Sequence, residues 1–178
     1  SDGRVDNVVQ SSVSETFDFT SVDVTSTVVN IDGDQLSGVT VSYDFETPSG
    51  DQKTSELAVQ SASGVSQAMA RGSDATVTAD KTIDTSSEDA IGAYDALQAL
   101  RLAVGLDKSD GTSEWYDYIA ADINKDGRVG ADDALNILKF AVGLTDGPSI
   151  DWVFVDADAD WSAIDRSTTT YNEGIQLS

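Results

Sequence analysis

The stretch Asp122-Ile123-Asn124-Lys125-Asp126-Gly127-Arg128-Val129-Gly130-Ala131-Asp132-Asp133 runs directly into the apolar-periodic segment Ala134-Leu135-Asn136-Ile137-Leu138. Side-chain oxygens stand at its first, third, fifth and twelfth places, from Asp122, Asn124, Asp126 and Asp133. A short loop can wrap about seven oxygens around one hard cation only if alternate residues point inward, and this is the spacing that calcium needs. Gly127 stands where the chain must turn with positive φ, and the carbonyl of Arg128 is the expected seventh-place ligand. Gly130 brings no side chain to the ninth place, so a water is expected to bridge there. Val129, at the eighth, is expected to point into a core and meet its counterpart in a second copy. Asp132 is expected to face solvent as a first-turn helix charge.

A second copy exists. Gly92 to Leu106, GAYDALQALRLAVGL, aligns with Gly130 to Leu144, GADDALNILKFAVGL, at a distance of about 38 residues. Leu97, Leu100 and Val104 recur at helical spacing with Ala96, Ala99 and Ala103 alongside, and the run stops at Gly105. Leu135, Leu138 and Val142 repeat the design, with Ala134, Ile137 and Ala141 alongside and a stop at Gly143. In register, the first loop reads Asp84, Ser86, Glu88, Asp89, the Ala90 carbonyl, Ile91, Gly92 and Asp95. Oxygens remain at the ligand places, but Asp89 replaces the turn glycine and Glu88 is one methylene longer than the usual fifth ligand. Two calcium sites are expected, the one at Asp122 to Asp133 being stronger. Asp156, Asp158 and Asp160 also alternate, although Trp161 stands where the glycine of a third loop would be.

The rest of the composition narrows the chemistry. The 178 residues carry 32 acidic against 10 basic side chains, a formal net charge of −22, so the surface repels nucleic acid and anionic membranes and suits a cationic partner. Cysteine and histidine are both absent, which removes disulfides, thiolate metal sites, the usual catalytic triad and nearly all zinc chemistry. An oxygen-bound hard cation survives that filter, and an enzyme is not expected. No apolar run approaches membrane-spanning length, and Ser1 opens without a signal-like segment, so the expectation is a soluble mature chain or a piece of a longer one.

From Phe17 to about Lys81, period-two runs such as Val24 to Val29 and Val39 to Tyr43 read as short strands, with turns at Asp32-Gly33-Asp34, Pro48-Ser49-Gly50-Asp51 and Arg71-Gly72-Ser73-Asp74. A small antiparallel sandwich is expected there. Trp115, Tyr116, Tyr118 and Ile119 read as a short helix packing over the repeated pair. Ile150 to Val155 and Tyr171 to Leu177 read as strands.

Residues 84–144 resemble a type I dockerin, on the strength of DINKDGRVGADDALNILK and its partial copy. That resemblance implies two calcium loop-helix repeats joined by a connecting helix, docking to a cohesin module through the tenth and eleventh loop places and a basic pair in the helix. Here those places hold Ala93-Tyr94 and Ala131-Asp132, with Arg101 and Lys139 as bases. Upstream, QLSGVTVSYDF and ARGSDATVTADK are similar to the carboxypeptidase-regulatory-like β-sandwich, a transthyretin-like fold. Together these resemble parts of large secreted bacterial calcium-binding and adhesin-type proteins. The implied chain is a multidomain α+β protein: an extension at 1–23, a β-sandwich at 24–83, a dockerin-like domain at 84–147 and a C-terminal β segment at 148–178. Its implied place is extracellular or at the cell surface, and its partner a cohesin-like module or further copies of itself.

Overall fold

A computed structural model describes residues 20–60, 64–82, 91–144, 146–149 and 151–178. The chain is a mixed α+β protein with two antiparallel sheets and three helices among those residues. Strands β1 (Ser21–Ser26), β2 (Val39–Glu46), β3 (Gln52–Val59), β4 (Val65–Ala70) and β5 (Asp74–Asp80) come first. Helices α1 (Ala93–Ala103), α2 (Trp115–Ala121) and α3 (Ala131–Ala141) follow, and strand β6 (Ile175–Leu177) ends the order. No helix is long and apolar enough to cross a membrane among the described residues.

Period two in the sequence becomes one buried face. On β2, Val39, Val41, Tyr43 and Phe45 are buried while their neighbours face outward, as a pleated strand with one covered face requires. β3, β2, β5 and β6 form one sheet in that order, and β1 pairs with β4 in the other. The β2–β3 hairpin closes Glu46 against Gln52, with Gly50 at φ 86° donating to the Thr47 carbonyl. At Gly72 the chain leaves β4 in one sheet and enters β5 in the other. Val24, Val65 and Met69 from β1 and β4 pack on the same cluster as β2 and β5, so both sheets share one core.

Tyr43 links the two sheets. Its ring is fully buried and its hydroxyl donates to Ser26 Oγ at 2.8 Å. Tyr43→Phe keeps the ring and removes the bond, and is expected to cost about 1 kcal/mol in a denaturant titration. An unchanged midpoint would mean that the bond adds nothing to the match between the sheets.

The strand expectations hold in part. β1 ends at Ser26, short of Val29, which forms an isolated bridge with Gln35 instead. Residues 151–155 make no ladder, contrary to the strand read at Ile150 to Val155; Ile150 itself lies outside the described residues. Phe154 packs on the sheet core and stacks on Trp152, with centroids 6.5 Å apart, and Trp152 stands under the Lys81 ammonium, 5.8 Å from the ring centroid. Burial there does not alternate: Trp152 is exposed, while Val153, Phe154 and Val155 are all partly buried. Of Tyr171 to Leu177 only the last three residues of that run, Ile175–Leu177, pair, with Val77, Thr76 and Ala75 of β5.

α1 and α3 pack together around Ala96, Ala99, Leu102, Ala134 and Ile137. Both stop in the same way. Gly105 and Gly143, each at φ 77°, turn the chain so that Leu106 and Leu144 donate back to the carbonyls of Arg101 and Lys139, at 2.9 Å in both cases. Ala96, Ala99 and Ala134 face inward with Leu102 and Ile137, whereas Leu97, Leu100, Leu135 and Leu138 are exposed. α2 rests on the pair through Tyr118, with Ile119 buried, as expected for a connecting helix.

Candidate metal centre

The loop from Asp122 to Asp133 begins at the end of α2 and finishes in the first turn of α3. Asp122 Oδ1 accepts from the Asp126 N–H at 3.1 Å and its Oδ2 from the Gly127 N–H at 2.9 Å. Asn124 Oδ1 also accepts from the Asp126 N–H, at 2.9 Å, and Asp126 Oδ1 accepts from Arg128 N–H at 3.2 Å. Asp133 closes the loop at both ends: Oδ1 accepts from the Asn124 N–H at 3.2 Å and Oδ2 from the Gly130 N–H at 2.8 Å. One carboxylate therefore caps α3 and fixes the start of the loop.

Two backbone positions carry the turn. Gly127 lies at φ 94°, as the sequence requires. Lys125 lies at φ 56°, an unfavourable conformation for a residue with a Cβ, and its ammonium is paired with Glu173 at 2.7 Å.

Asp132 is exposed in the first turn of α3, as expected, and in addition accepts from Asn124 Nδ2 at 2.8 Å. This contact turns the amide nitrogen toward Asp132 and leaves the Asn124 oxygen to accept from the Asp126 N–H. Gly130 makes the approach possible, because a Cβ there would collide with the Asp132 carboxylate.

Asp133 has no solvent exposure and Asp122 only 7%. Burial pushes the Asp133 carboxyl above the usual carboxylate range; the Gly130 and Asn124 N–H groups oppose the shift, and the nearby Asp122 and Asp132 charges add to it. Among the described residues, no group of three or more His, Cys, Asp and Glu side chains could by itself hold a metal ion. A cation at this loop would therefore need the Asn124 amide and the Arg128 carbonyl as well as carboxylates. Such an all-oxygen donor set fits calcium.

Of the first loop, Asp84, Ser86, Glu88, Asp89 and Ala90 lie outside the described residues. Asp95 repeats the helix cap of Asp133, accepting from Gly92 N–H at 2.7 Å, but it is exposed. Ile91 packs on the cluster that holds Val129, as expected for the paired eighth places. The main chain of Val129 goes elsewhere: its N–H donates to the Arg166 carbonyl at 2.8 Å. Asp156, Asp158 and Asp160 form local turns, in which Asp158 N–H bonds Asp156 Oδ1 and Ser162 N–H bonds Asp160 Oδ1. Trp161 closes that turn, its indole N–H donating to the Asp156 carbonyl at 3.0 Å, and its ring stacks on Trp115 with centroids 5.2 Å apart.

The two repeated bases take equivalent posts. Arg101 Nε donates to the Asp107 carbonyl at 2.9 Å, and Lys139 Nζ to Asp146 at 3.3 Å, each tying down the segment after its helix. Cations there also complement the negative helix end.

Thr169 is a site residue that the sequence did not announce. It is 1% exposed, its hydroxyl donates to Asp122 Oδ2, and its N–H donates to the Gly127 carbonyl at 3.0 Å. Nothing in Ser167-Thr168-Thr169-Thr170 distinguishes it by type or spacing.

Searches against family models, curated proteins and solved structures find no match to this chain.

Proposed function

We propose that this chain is a calcium-stabilised protein-interaction module of a secreted bacterial surface protein, a dockerin-like helix pair joined to a β-sandwich. The observation that carries the reading is the closure of the Asp122–Asp133 loop around two nearly buried carboxylates of like charge, Asp122 and Asp133. Such a pair calls for a cation, and every candidate donor is oxygen. Asp122, Asn124, Asp126, Asp133 and the Arg128 carbonyl would hold the ion. Calcium would neutralise the carboxylates and tie α2 to α3 through one centre. Asp84, Ser86, Glu88, Asp95 and the Ala90 carbonyl are the corresponding ligands of a weaker first site.

Interaction is supported by the outer faces of the two helices. Leu97, Leu100 and Val104 are 50%, 42% and 63% exposed, and their counterparts Leu135, Leu138 and Val142 are 53%, 40% and 64% exposed. A repeated apolar stripe turned to solvent in a chain of net charge −22 suits a folded protein partner of the cohesin kind. Strand addition to further copies is the weaker reading, because β6 pairs with β5 of its own chain.

Calorimetric titration tests the ion. Uptake is expected in the wild type and a loss of at least tenfold in affinity in Asp126→Ala, whereas no uptake at millimolar calcium would reject the reading. A pull-down from the same organism's secreted proteins tests the surface. Leu97→Asp combined with Leu135→Asp should release a partner that the wild type holds only in calcium; undiminished capture would place the interaction elsewhere.

A further inference from the structure

The C-terminal segment crosses from the helices to the sheet over the candidate metal loop. Trp161 stacks on Trp115 of α2, and Arg166 Nη1 donates to the Ala103 carbonyl at the end of α1, at 3.4 Å. The next residues lie along the loop: the Arg166 carbonyl receives Val129 N–H, and Thr169 N–H reaches the Gly127 carbonyl. Glu173 pairs with Lys125 at the fourth loop place, and Gly174 lies against Thr76 and Thr78 of β5. β6 then completes the sheet.

We infer that the tight turn Asp165 to Thr168, with Thr169 after it, is an outer wall of the metal centre, that Thr169 is its positioning residue, and that ion binding latches the C-terminal segment onto both halves of the chain. This rests on the calcium reading of the loop. Asp122 Oδ2 is held by two donors, the Gly127 N–H from within the loop and the Thr169 hydroxyl from outside it. Together they fix the carboxylate plane, so the first-place ligand is set before an ion arrives. Pairing of Thr169 with Gly127 and of Val129 with Arg166 holds the loop backbone on either side of the Arg128 carbonyl. That carbonyl is the seventh-place donor, and it lies between two tethered residues. Coupling of this kind is reciprocal: if the docked segment tightens calcium, calcium tightens the docking by the same factor. The ion would then govern how firmly β6 sits in a sheet to which it contributes no ligand.

Hydrogen exchange on the full chain, with and without calcium, reads the latch directly and needs no variant. Amides of Thr169 and of Ile175–Leu177 are expected to gain about tenfold protection in calcium. Thr169→Val, which keeps the shape and removes the hydroxyl, should weaken calcium in calorimetry by about tenfold, equal to ~1.4 kcal/mol. It should also abolish the calcium-dependent protection at 175–177, and Thr169→Ser should restore both. If the wild type binds calcium while protection of 166–177 ignores the ion and Thr169→Val binds equally well, the latch is refuted and the loop reading stands. If the wild type takes up no calcium, both fall together.

Discussion

Chelation of the calcium-loaded chain is expected to lower the melting temperature of the helical part by roughly 10–30 °C while the two-sheet core unfolds near its original midpoint. The size follows from linkage: an ion present at a hundred to a thousand times its dissociation constant stabilises by roughly 2.7–4.1 kcal/mol. In a small unit each kcal/mol moves the midpoint by about 4–8 °C. The helical cluster has little else to rely on, since its interior is built largely from alanines and from Leu102, Val129 and Ile137. The sheet core, by contrast, buries Tyr43, Phe45, Val39, Val41, Val59 and Met69, with no loop ligand among them. Circular dichroism at the helical band, followed beside Trp and Tyr fluorescence, separates the two transitions. A single transition unmoved by chelator would refute the calcium reading, and a single transition moved as a whole would show that the C-terminal segment makes the chain one cooperative unit.

What the sequence disclosed depended on how far each signal reached along the chain. The duplicated helices were legible because their stop glycines, apolar period and cap carboxylates all lie within one stretch of residues, and the structure repeats them nearly atom for atom at Gly105 and Gly143. β2 was legible from its alternation, Val39, Val41, Tyr43 and Phe45 being the buried face. Which face of α1 and α3 turns inward was not legible, because leucine and alanine both satisfy a helical period; the close packing of the two helices selects Ala96, Ala99 and Ala134 beside Leu102 and Ile137. The segment after Asp151 was misread for a related reason. Phe154 packs on the sheet core but Trp152 stays exposed, and the open side of β5 is taken by β6, so apolar character there came without ladder pairing. Thr169 was hidden because its partner, Asp122, lies far back in the chain; the strand read at Tyr171 to Leu177 was legible at Ile175–Leu177, but its pairing with the distant β5 was not.

Asp133→Asn is expected to give a variant as stable as the wild type without calcium, to within about 1 kcal/mol, yet one that gains less than about a quarter of the wild-type stabilisation when calcium is added. Two opposing effects decide the ion-free result. The substitution removes a buried charge whose desolvation outweighs its hydrogen bonds, which is why the carboxyl is held above its usual range. It also turns one acceptor into a donor against either Asn124 N–H or Gly130 N–H, at a cost of roughly 1 kcal/mol. The two effects oppose each other. With the ion present only the loss remains, since the twelfth-place carboxylate has become a neutral amide. The pH dependence has a definite sign. Because the folded state binds the Asp133 proton more tightly than the unfolded chain does, this group favours folding at low pH, and that contribution disappears as pH rises from the unfolded carboxylate value through the raised folded one. Ion-free wild type should therefore lose stability across that window relative to Asp133→Asn, while calcium binding, which needs the deprotonated carboxylate, should strengthen across it. Denaturant titrations of both proteins at several pH values, in chelator and in calcium, make the comparison. A full calcium response in the variant would show that Asp133 is a helix cap and no ligand, and an ion-free loss above about 3 kcal/mol would show that its two backbone bonds outweigh the burial of its charge.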